Sequence, residues 1–133
     1  MNLLKLSVSD YINFLRDISL DNIANRIYLL YKCEVPSGEK PIEKLSLAFF
    51  VHFISSIHDE IIEPSITLTT EGLVKTIWHK SESEDEMIWV EFNNDGTTTY
   101  IVFNNEEKYV GVATIFEIYN IIYETEWIRK ETL

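Results

Sequence analysis

The spacing of apolar residues changes at Pro64, and this change limits the folds that the chain can adopt. Before Pro64, apolar residues such as Tyr11, Phe14 and Leu15 recur at the spacing of an amphipathic helix. After Pro64 they alternate with polar residues over short runs such as residues 73–80, which is typical of strands with one buried face. We therefore expect an α+β protein in which N-terminal helices lead into an antiparallel sheet.

The pattern predicts a single domain, residues 1–133, with a four-stranded meander between helices that pack on one face of the sheet. The predicted elements are helices at about 8–31 and 41–62, strands at about 65–70, 73–80, 86–93 and 97–103, and a helix at about 114–130. The first helix is expected to break at residues 19–21, and residues 108–113 fit either a fifth short strand or a loop. The helix at 41–62 is apolar nearly all round, which indicates a central helix or one with a partner on its second side.

Charge and apolar content together narrow the classes of function. The chain has 22 Asp and Glu against 11 Lys and Arg, a net charge of -11, and 46% hydrophobic residues. Because the apolar residues suffice for a core, the charge belongs on the surface of a folded protein rather than to a disordered chain. The negative charge repels nucleic acid and anionic membranes and favours basic surfaces on other proteins. We expect protein partners, no direct binding of nucleic acid and no membrane binding.

The chain has the features of a cytoplasmic protein. Its one cysteine, Cys33, has no second cysteine for an internal disulfide, which suits a reducing compartment. The first residues lack a basic region followed by an apolar run and a cleavage site, and no apolar stretch is long enough to span a bilayer.

Catalytic and metal-binding motifs are not evident in the sequence. His52 and His58 are six positions apart, which places them on different faces of the predicted helix, and we expect His52 to be buried. Cys33 has no nearby histidine to activate it, so we expect a small buried side chain. There is no Gly-rich phosphate loop, Gly-x-Ser-x-Gly elbow or His-Glu-x-x-His motif. We expect a protein that is not an enzyme and that uses no cofactor or metal.

A cluster of acidic residues is expected at one edge of the meander, because alternate connections lie at the same end of such a sheet. The residues are Glu82, Glu84, Asp85, Glu86, Glu106 and Glu107. One interpretation is that these loop tips are solvated and aid solubility. The other is that they form a docking edge for a basic partner, either an Arg/Lys-rich protein or a site that normally holds phosphates.

The middle of the chain carries several short motifs in a fixed order. They are Pro64-Ser65-Ile66, Thr70-Glu71-Gly72-Leu73-Val74, Trp78, Ile88, Glu91-Phe92, Asp95-Gly96 and Tyr100. Over roughly residues 41–123 the chain resembles a group of small uncharacterised bacterial and phage proteins. In that group a helical half leads to a Pro-x-Ile strand, a Gly turn, a strand ending in Trp and an Asp-Gly hairpin. A Trp-Asp-Gly-Tyr-Gly segment of the group is absent here. The resemblance implies the α+β architecture and a mobile-element setting, and it carries no activity.

Two functional hypotheses follow. The first is a small acidic binding protein that inhibits a nucleic-acid-handling protein by occupying its basic surface, as a nucleic-acid mimic with an anti-defence or antitoxin-like role. The second is a structural or assembly subunit, with a homodimer as one form. It would be joined through the apolar surface of the helix at 41–62 and through the aromatic last helix.

Overall fold

A computed structural model describes residues 5–33, 35–80 and 85–130. The helices are α1 (Val8–Asp17), α2 (Asp21–Lys32), α3 (Lys44–Ile57) and α4 (Ile115–Glu124), and a short 3-10 turn covers Glu126–Ile128. The strands are β1 (Ser65–Leu68), β2 (Val74–His79), β3 (Glu86–Phe92), β4 (Thr97–Asn104) and β5 (Glu107–Thr114). They form one antiparallel sheet in the order β1-β2-β3-β4-β5.

The α+β class and the antiparallel meander are confirmed, but the predicted number of strands is wrong. The stretch that fitted either a strand or a loop forms β5, which pairs with β4 from Thr97–Thr114 to Asn104–Glu107. Within β5 only Ala113 is buried, and Gly111 interrupts the run of side chains. The alternation of buried and exposed residues that marks a strand in a sequence is therefore missing here.

The predicted break in the first helix is confirmed. Ser7 and Asp10 form a reciprocal capping box at the start of α1, and α1 ends at Asp17. Ser19 has φ +66, a left-handed conformation that cannot continue a helix. The chain then enters α2 at Asp21.

Helix α3 is shorter at both ends than the sequence predicts. Residues 41–43 precede it because their backbone is bound to the β1–β2 turn rather than to a helical turn. Lys40 N–H donates to the carbonyl of Thr70 at 2.8 Å, and Glu43 N–H donates to the carbonyl of Gly72 at 2.9 Å. At the other end, the helix stops at Ile57 and the chain turns towards Pro64.

Helix α4 also ends earlier than predicted. It begins with the expected capping box, in which Thr114 and Glu117 exchange hydrogen bonds. After α4 the chain returns to the segment that follows α3, where Ile62 N–H donates to the carbonyl of Ile128 at 2.7 Å. These backbone hydrogen bonds across the two segments replace a further helical turn.

The core lies between the helices and one face of the sheet. Phe53 of α3 packs against Trp78 and Phe92, with ring centroids 6.4 Å and 5.5 Å away, and Phe50 packs on Phe92 at 5.5 Å. Helix α3 also contacts α1 and α4, so its apolar side chains are buried on several sides. The structure therefore confirms the interpretation of α3 as a central core helix.

Candidate functional site

Two acidic connections meet at one end of the sheet. Glu86 pairs across β3 and β4 with Asn104, and Asn104 pairs with Glu107 on β5. Asn105 N–H donates to the carbonyl of Asp85 at 2.7 Å, which joins the β2–β3 connection to the β4–β5 turn. We call this region the acidic end: its sheet residues are Asp85, Glu86, Glu106 and Glu107. The other two predicted site residues, Glu82 and Glu84, lie outside the described residues.

The four carboxylates of the acidic end have different surroundings. The Glu86 carboxylate is partly buried and lies 2.9 Å from the ammonium group of Lys80. The Glu107 carboxylate accepts a hydrogen bond from the Tyr109 hydroxyl, and this bond, together with the negative charge, raises the pKa of Tyr109. Asp85, Glu106 and Glu107 are exposed, and Glu86 is partly buried against Lys80.

The helical layer adds further acid at the same end. Trp78 Nε1 donates to the carbonyl of Ile62 at 3.0 Å, which holds the segment after α3 against this end of the sheet. The Tyr119 hydroxyl donates to the Glu60 carboxylate at 3.2 Å, and burial and then this bond raise the pKa of Tyr119. The additional carboxylates are Asp59, Glu60, Glu63, Glu124 and Glu126, and the cationic side chains at this end are Arg26, Lys80, Lys108, Arg129 and Lys130. Carboxylates therefore outnumber cations here.

The face of the sheet opposite the helices, which we call the open face, is largely apolar, like the face that packs against the helices. Its central row runs across the strands through Ile77, Trp89, Ile101 and Val110. The ring of Trp89 packs edge-on against another open-face ring, that of Phe103, with centroids 5.3 Å apart. None of the helices in the described part of the chain covers this face, where the side chains stay partly or fully exposed.

Two lysines lie among the aromatic residues of the open face. The Lys75 ammonium is 3.8 Å from the centroid of the Trp89 ring, and the Lys108 ammonium is 6.0 Å from that of Phe103. Such contacts cover part of each ring and attract the cation to its π electrons. The open face is thus largely apolar with charges of both signs, since Glu91 lies opposite Lys75 across β2 and β3, in contrast to the acidic end.

The open face was missed by the sequence reasoning, although β3 carries a signal for it. Met87 and Trp89 alternate with the buried Ile88 and Val90, so this strand is apolar on both sides. A strand of that kind indicates that its second face is also used for packing.

Two side chains that were expected to be buried are exposed. Cys33 lies at the end of α2, where the helix meets solvent. His52 lies on the side of α3 that faces away from the sheet, because the buried face of the helix is set by Phe50 and Phe53. Both predictions of burial are therefore wrong.

The described residues show no arrangement of side chains that is typical of a metal site. Residues 5–33, 35–80 and 85–130 contain no group of three or more His, Cys, Asp or Glu side chains placed to hold a metal ion. A cleft of about 340 Å³ between α3 and α4 is lined by His52, Phe53, Ser56, Ile115, Phe116, Tyr119 and Asn120. This lining is mainly aromatic and apolar, with Asn120 as its one amide side chain, and it has no carboxylate to pair with His52.

Known proteins supply no template for this chain. Comparison with protein-family models, with curated proteins and with solved structures gives no match. Of the helices that the structure describes, none has both the length and the apolar character needed to cross a bilayer. The resemblance to small bacterial and phage proteins stays a prediction, and a functional proposal rests on the surfaces described above.

Proposed function

We propose that this chain is a small, acidic, non-enzymatic protein that inhibits a nucleic-acid-handling protein by occupying its basic surface. The observation that carries the proposal is the hydrogen bond from Asn105 N–H to the Asp85 carbonyl, which holds two acidic connections side by side. A groove that binds phosphates presents lysine and arginine side chains, and carboxylates in fixed positions can engage them in place of phosphates. An anti-defence or antitoxin-like role in the cytoplasm is the concrete form of the proposal.

The spacing of the acidic residues suits contact with several cations at once. One strand, β4, separates β3 from β5, so the backbones of Glu86 and Glu107 at the start of these two strands are about 10 Å apart. This separation is close to the screening length of about 8 Å at physiological salt, so salt partly screens the repulsion between charges at this spacing. A partner cation that approaches one carboxylate is also attracted by its neighbours, and its charge reduces the repulsion between them.

The surroundings of each carboxylate decide which ones would contact the partner. We assign the contact to Asp85, Glu106 and Glu107 because they are exposed, and we assign Glu86 a supporting role because its side chain is partly buried. Glu82 and Glu84 remain predicted partner-binding residues.

The test is capture of host proteins on immobilised protein, followed by elution with salt or with duplex DNA as a competing polyanion. We expect proteins that bind nucleic acid to be retained at low salt and to be released by both treatments, because charge-driven contacts weaken as salt rises. Mass spectrometry identifies the retained proteins, and an activity assay on each shows whether this chain inhibits it.

A pair of charge-matched variants shows whether the acidic end is responsible. Glu106→Lys with Glu107→Lys should abolish capture, whereas Glu39→Lys with Glu71→Lys should not, since these two exposed residues lie near the β1–β2 turn at the other end of the sheet. Both variants change the net charge equally. Equal loss of capture in both variants would show that capture depends only on the overall charge. Unchanged capture in the first variant would refute the proposal.

The assembly-subunit alternative keeps only part of the surface expected for it. Most apolar residues of α3 are buried within the chain, with Leu45 exposed, whereas Phe116 and Tyr123 of the aromatic last helix are exposed. Further exposed apolar side chains lie on α2 and β5, and β5 leads to the inference below.

A further inference from the structure

The two edges of the sheet are protected to different degrees. Strand β1 has 4 residues and is flanked by α2, and Arg26 Nε donates to the carbonyl of Ile66 at 2.8 Å. Strand β5 has 8 residues and pairs with β4 on one side only. Long exposed edge strands can pair with another strand through their outward backbone groups, and natural proteins usually block them. The one lysine of β5, Lys108, is at its start, and among the described residues the stretch 109–114 has no such block.

The most exposed apolar side chains of the described chain are also on this edge. Phe116 is 79% exposed, Val112 69%, Val110 62% and Tyr109 53%, and all four fall within residues 109–116. Val110 and Val112 share the open face, and their β-branched side chains favour strand pairing. An edge strand with these side chains has both the hydrogen-bonding groups and the apolar surface of an interface.

We propose that β5 pairs in antiparallel fashion with β5 of a second copy of this chain. The two sheets then form one continuous ten-stranded sheet around a two-fold axis that passes through the stretch from Tyr109 to Ala113. Because the two copies are related by this axis, Val110 and Val112 of both copies meet on the same face of the joined sheet. The two α4 helices lie beside the same junction, on the helical side of the sheet.

Charge favours a second copy over other occupants of this edge. The charged residues of β5, Glu107 and Lys108, are both at its start, and residues 109–114 are uncharged. Antiparallel pairing therefore places the two acidic ends at opposite poles of the dimer, where their mutual repulsion is screened. A basic partner finds Lys108 and no carboxylate along residues 109–114, and a nucleic acid is repelled by the charge of the whole chain.

The ends of the junction are complementary in charge as well. In the antiparallel arrangement Lys108 of one copy lies near Thr114 of the other. There the Glu117 carboxylate accepts the Thr114 N–H at 3.0 Å. At each of its two ends, the junction thus brings Lys108 of one copy close to Glu117 of the other.

The first test is sedimentation equilibrium over a range of protein and salt concentrations. We expect a monomer–dimer equilibrium that strengthens as salt rises, because salt screens the repulsion between two acidic chains. Capture of a partner by the acidic end weakens as salt rises, whereas the dimer strengthens. The salt dependence therefore tests the proposed function and the dimer separately. A monomer at every concentration and every salt would overturn the dimer.

Matched variants locate the interface. Val110→Lys with Val112→Lys should raise the dimer dissociation constant at least about tenfold, because lysines on an edge strand block pairing. Tyr28→Lys with Leu29→Lys changes two exposed apolar residues of α2 and alters the charge equally, and we expect no effect on the dimer. A dimer that survives the first variant, or is lost in the second, would overturn the assignment to β5. Circular dichroism of each variant shows that the fold is retained.

Single cysteines test the register of the junction in a Cys33→Ser background. At an antiparallel two-fold axis, identical residues face each other at about 4.5–5.5 Å between Cα atoms, which a disulfide can bridge. We expect cross-linking on oxidation to peak at one position between residues 109 and 113 and to be absent at Glu107 and Lys108. Equal cross-linking along the whole strand would indicate parallel pairing, and cross-linking at none of these positions would exclude the junction.

Discussion

The hydroxyl group of Ser46 donates a hydrogen bond to the carbonyl oxygen of Phe92 at 2.6 Å, which ties α3 to the end of β3. The Ser46 hydroxyl oxygen in turn accepts the N–H of Val74 at 2.8 Å, so one buried side chain joins the helix to two neighbouring strands. Both backbone groups lie in the interior, where an unpaired polar group costs free energy. This contact fixes the direction in which α3 crosses the sheet and therefore directs its C-terminal end towards the acidic end.

Replacing this hydroxyl group should be costly. We expect Ser46→Ala to lower the free energy of unfolding by about 2–4 kcal/mol, because the Val74 N–H and the Phe92 carbonyl lose a partner in the core. Ser56→Ala is the control: its hydroxyl is exposed and donates to the His52 carbonyl, so its removal should change stability by less than about 0.5 kcal/mol. Urea denaturation of both variants gives the comparison, and equal losses would contradict the role assigned to Ser46.

Two glycines with the same backbone conformation should respond differently to alanine. Gly72 and Gly38 have φ +82 and +86, which strains any residue with a Cβ atom. At Gly72 the added Cβ would also lie 2.0 Å from the backbone oxygen of Pro41, whereas at Gly38 nothing lies within 4 Å. We expect Gly38→Ala to cost about 1 kcal/mol and Gly72→Ala to cost at least about 3 kcal/mol, since only the latter must displace a backbone segment. Thermal melts that shift equally would argue against this close approach.

The capping box of α4 should make stability depend on pH in acid. The Thr114 backbone N–H, and then its side chain, lower the pKa of Glu117 below its ordinary value of 4.5. The unfolded chain therefore binds this proton first, so the stabilisation is present above the ordinary pKa and is lost as pH falls through the lower folded pKa. We expect wild-type stability to fall more steeply than that of Glu117→Gln between about pH 5 and pH 3.

The control for this pH effect is Glu124→Gln at the other end of α4. It removes the same charge without removing the hydrogen bond to Thr114. Its stability should follow the wild-type pH dependence in urea titrations at each pH. A Glu117→Gln profile that is parallel to the wild type would rule out the capping contribution.

Glu86 should behave differently from its exposed acidic neighbours. Because its carboxylate binds Lys80 at a partly exposed site, Glu86→Gln should cost less than about 1 kcal/mol of stability. We expect the variant to capture the same partner proteins as the wild type, at the same salt concentration. Loss of capture in Glu86→Gln would place this residue in the contact surface and would require a revised assignment of the acidic end.

The sequence predicts the helices and four of the strands, because each depends on a local pattern. The break at residues 19–21 and the capping box at Thr114 are visible in side-chain types alone. The meander then places Asp85 and Glu106 together, since adjacent strands of an antiparallel sheet determine which connections are neighbours. Element ends were predicted less well, because tertiary hydrogen bonds such as that from Glu43 to Gly72 decide them.

Strand β5 and the ion pair between Glu86 and Lys80 could not be predicted from local sequence patterns. A strand at an exposed edge buries few side chains, so its sequence lacks the alternation that reveals other strands. The partner of Glu86 is Lys80, which lies across a connection and comes into reach only through the register of β2 and β3. Which carboxylate of a predicted cluster is already neutralised therefore depends on geometry that a sequence does not display.

The order of elements along the chain has a consequence for synthesis. Every strand pairs with its neighbour in the chain, so the sheet can form hairpin by hairpin with short loops to close. Helix α3, in contrast, packs on residues such as Phe92, which the ribosome adds later. Its apolar surface therefore leaves the ribosome before the strands that cover it. During that interval α3 is the segment that most needs to be protected by chaperones.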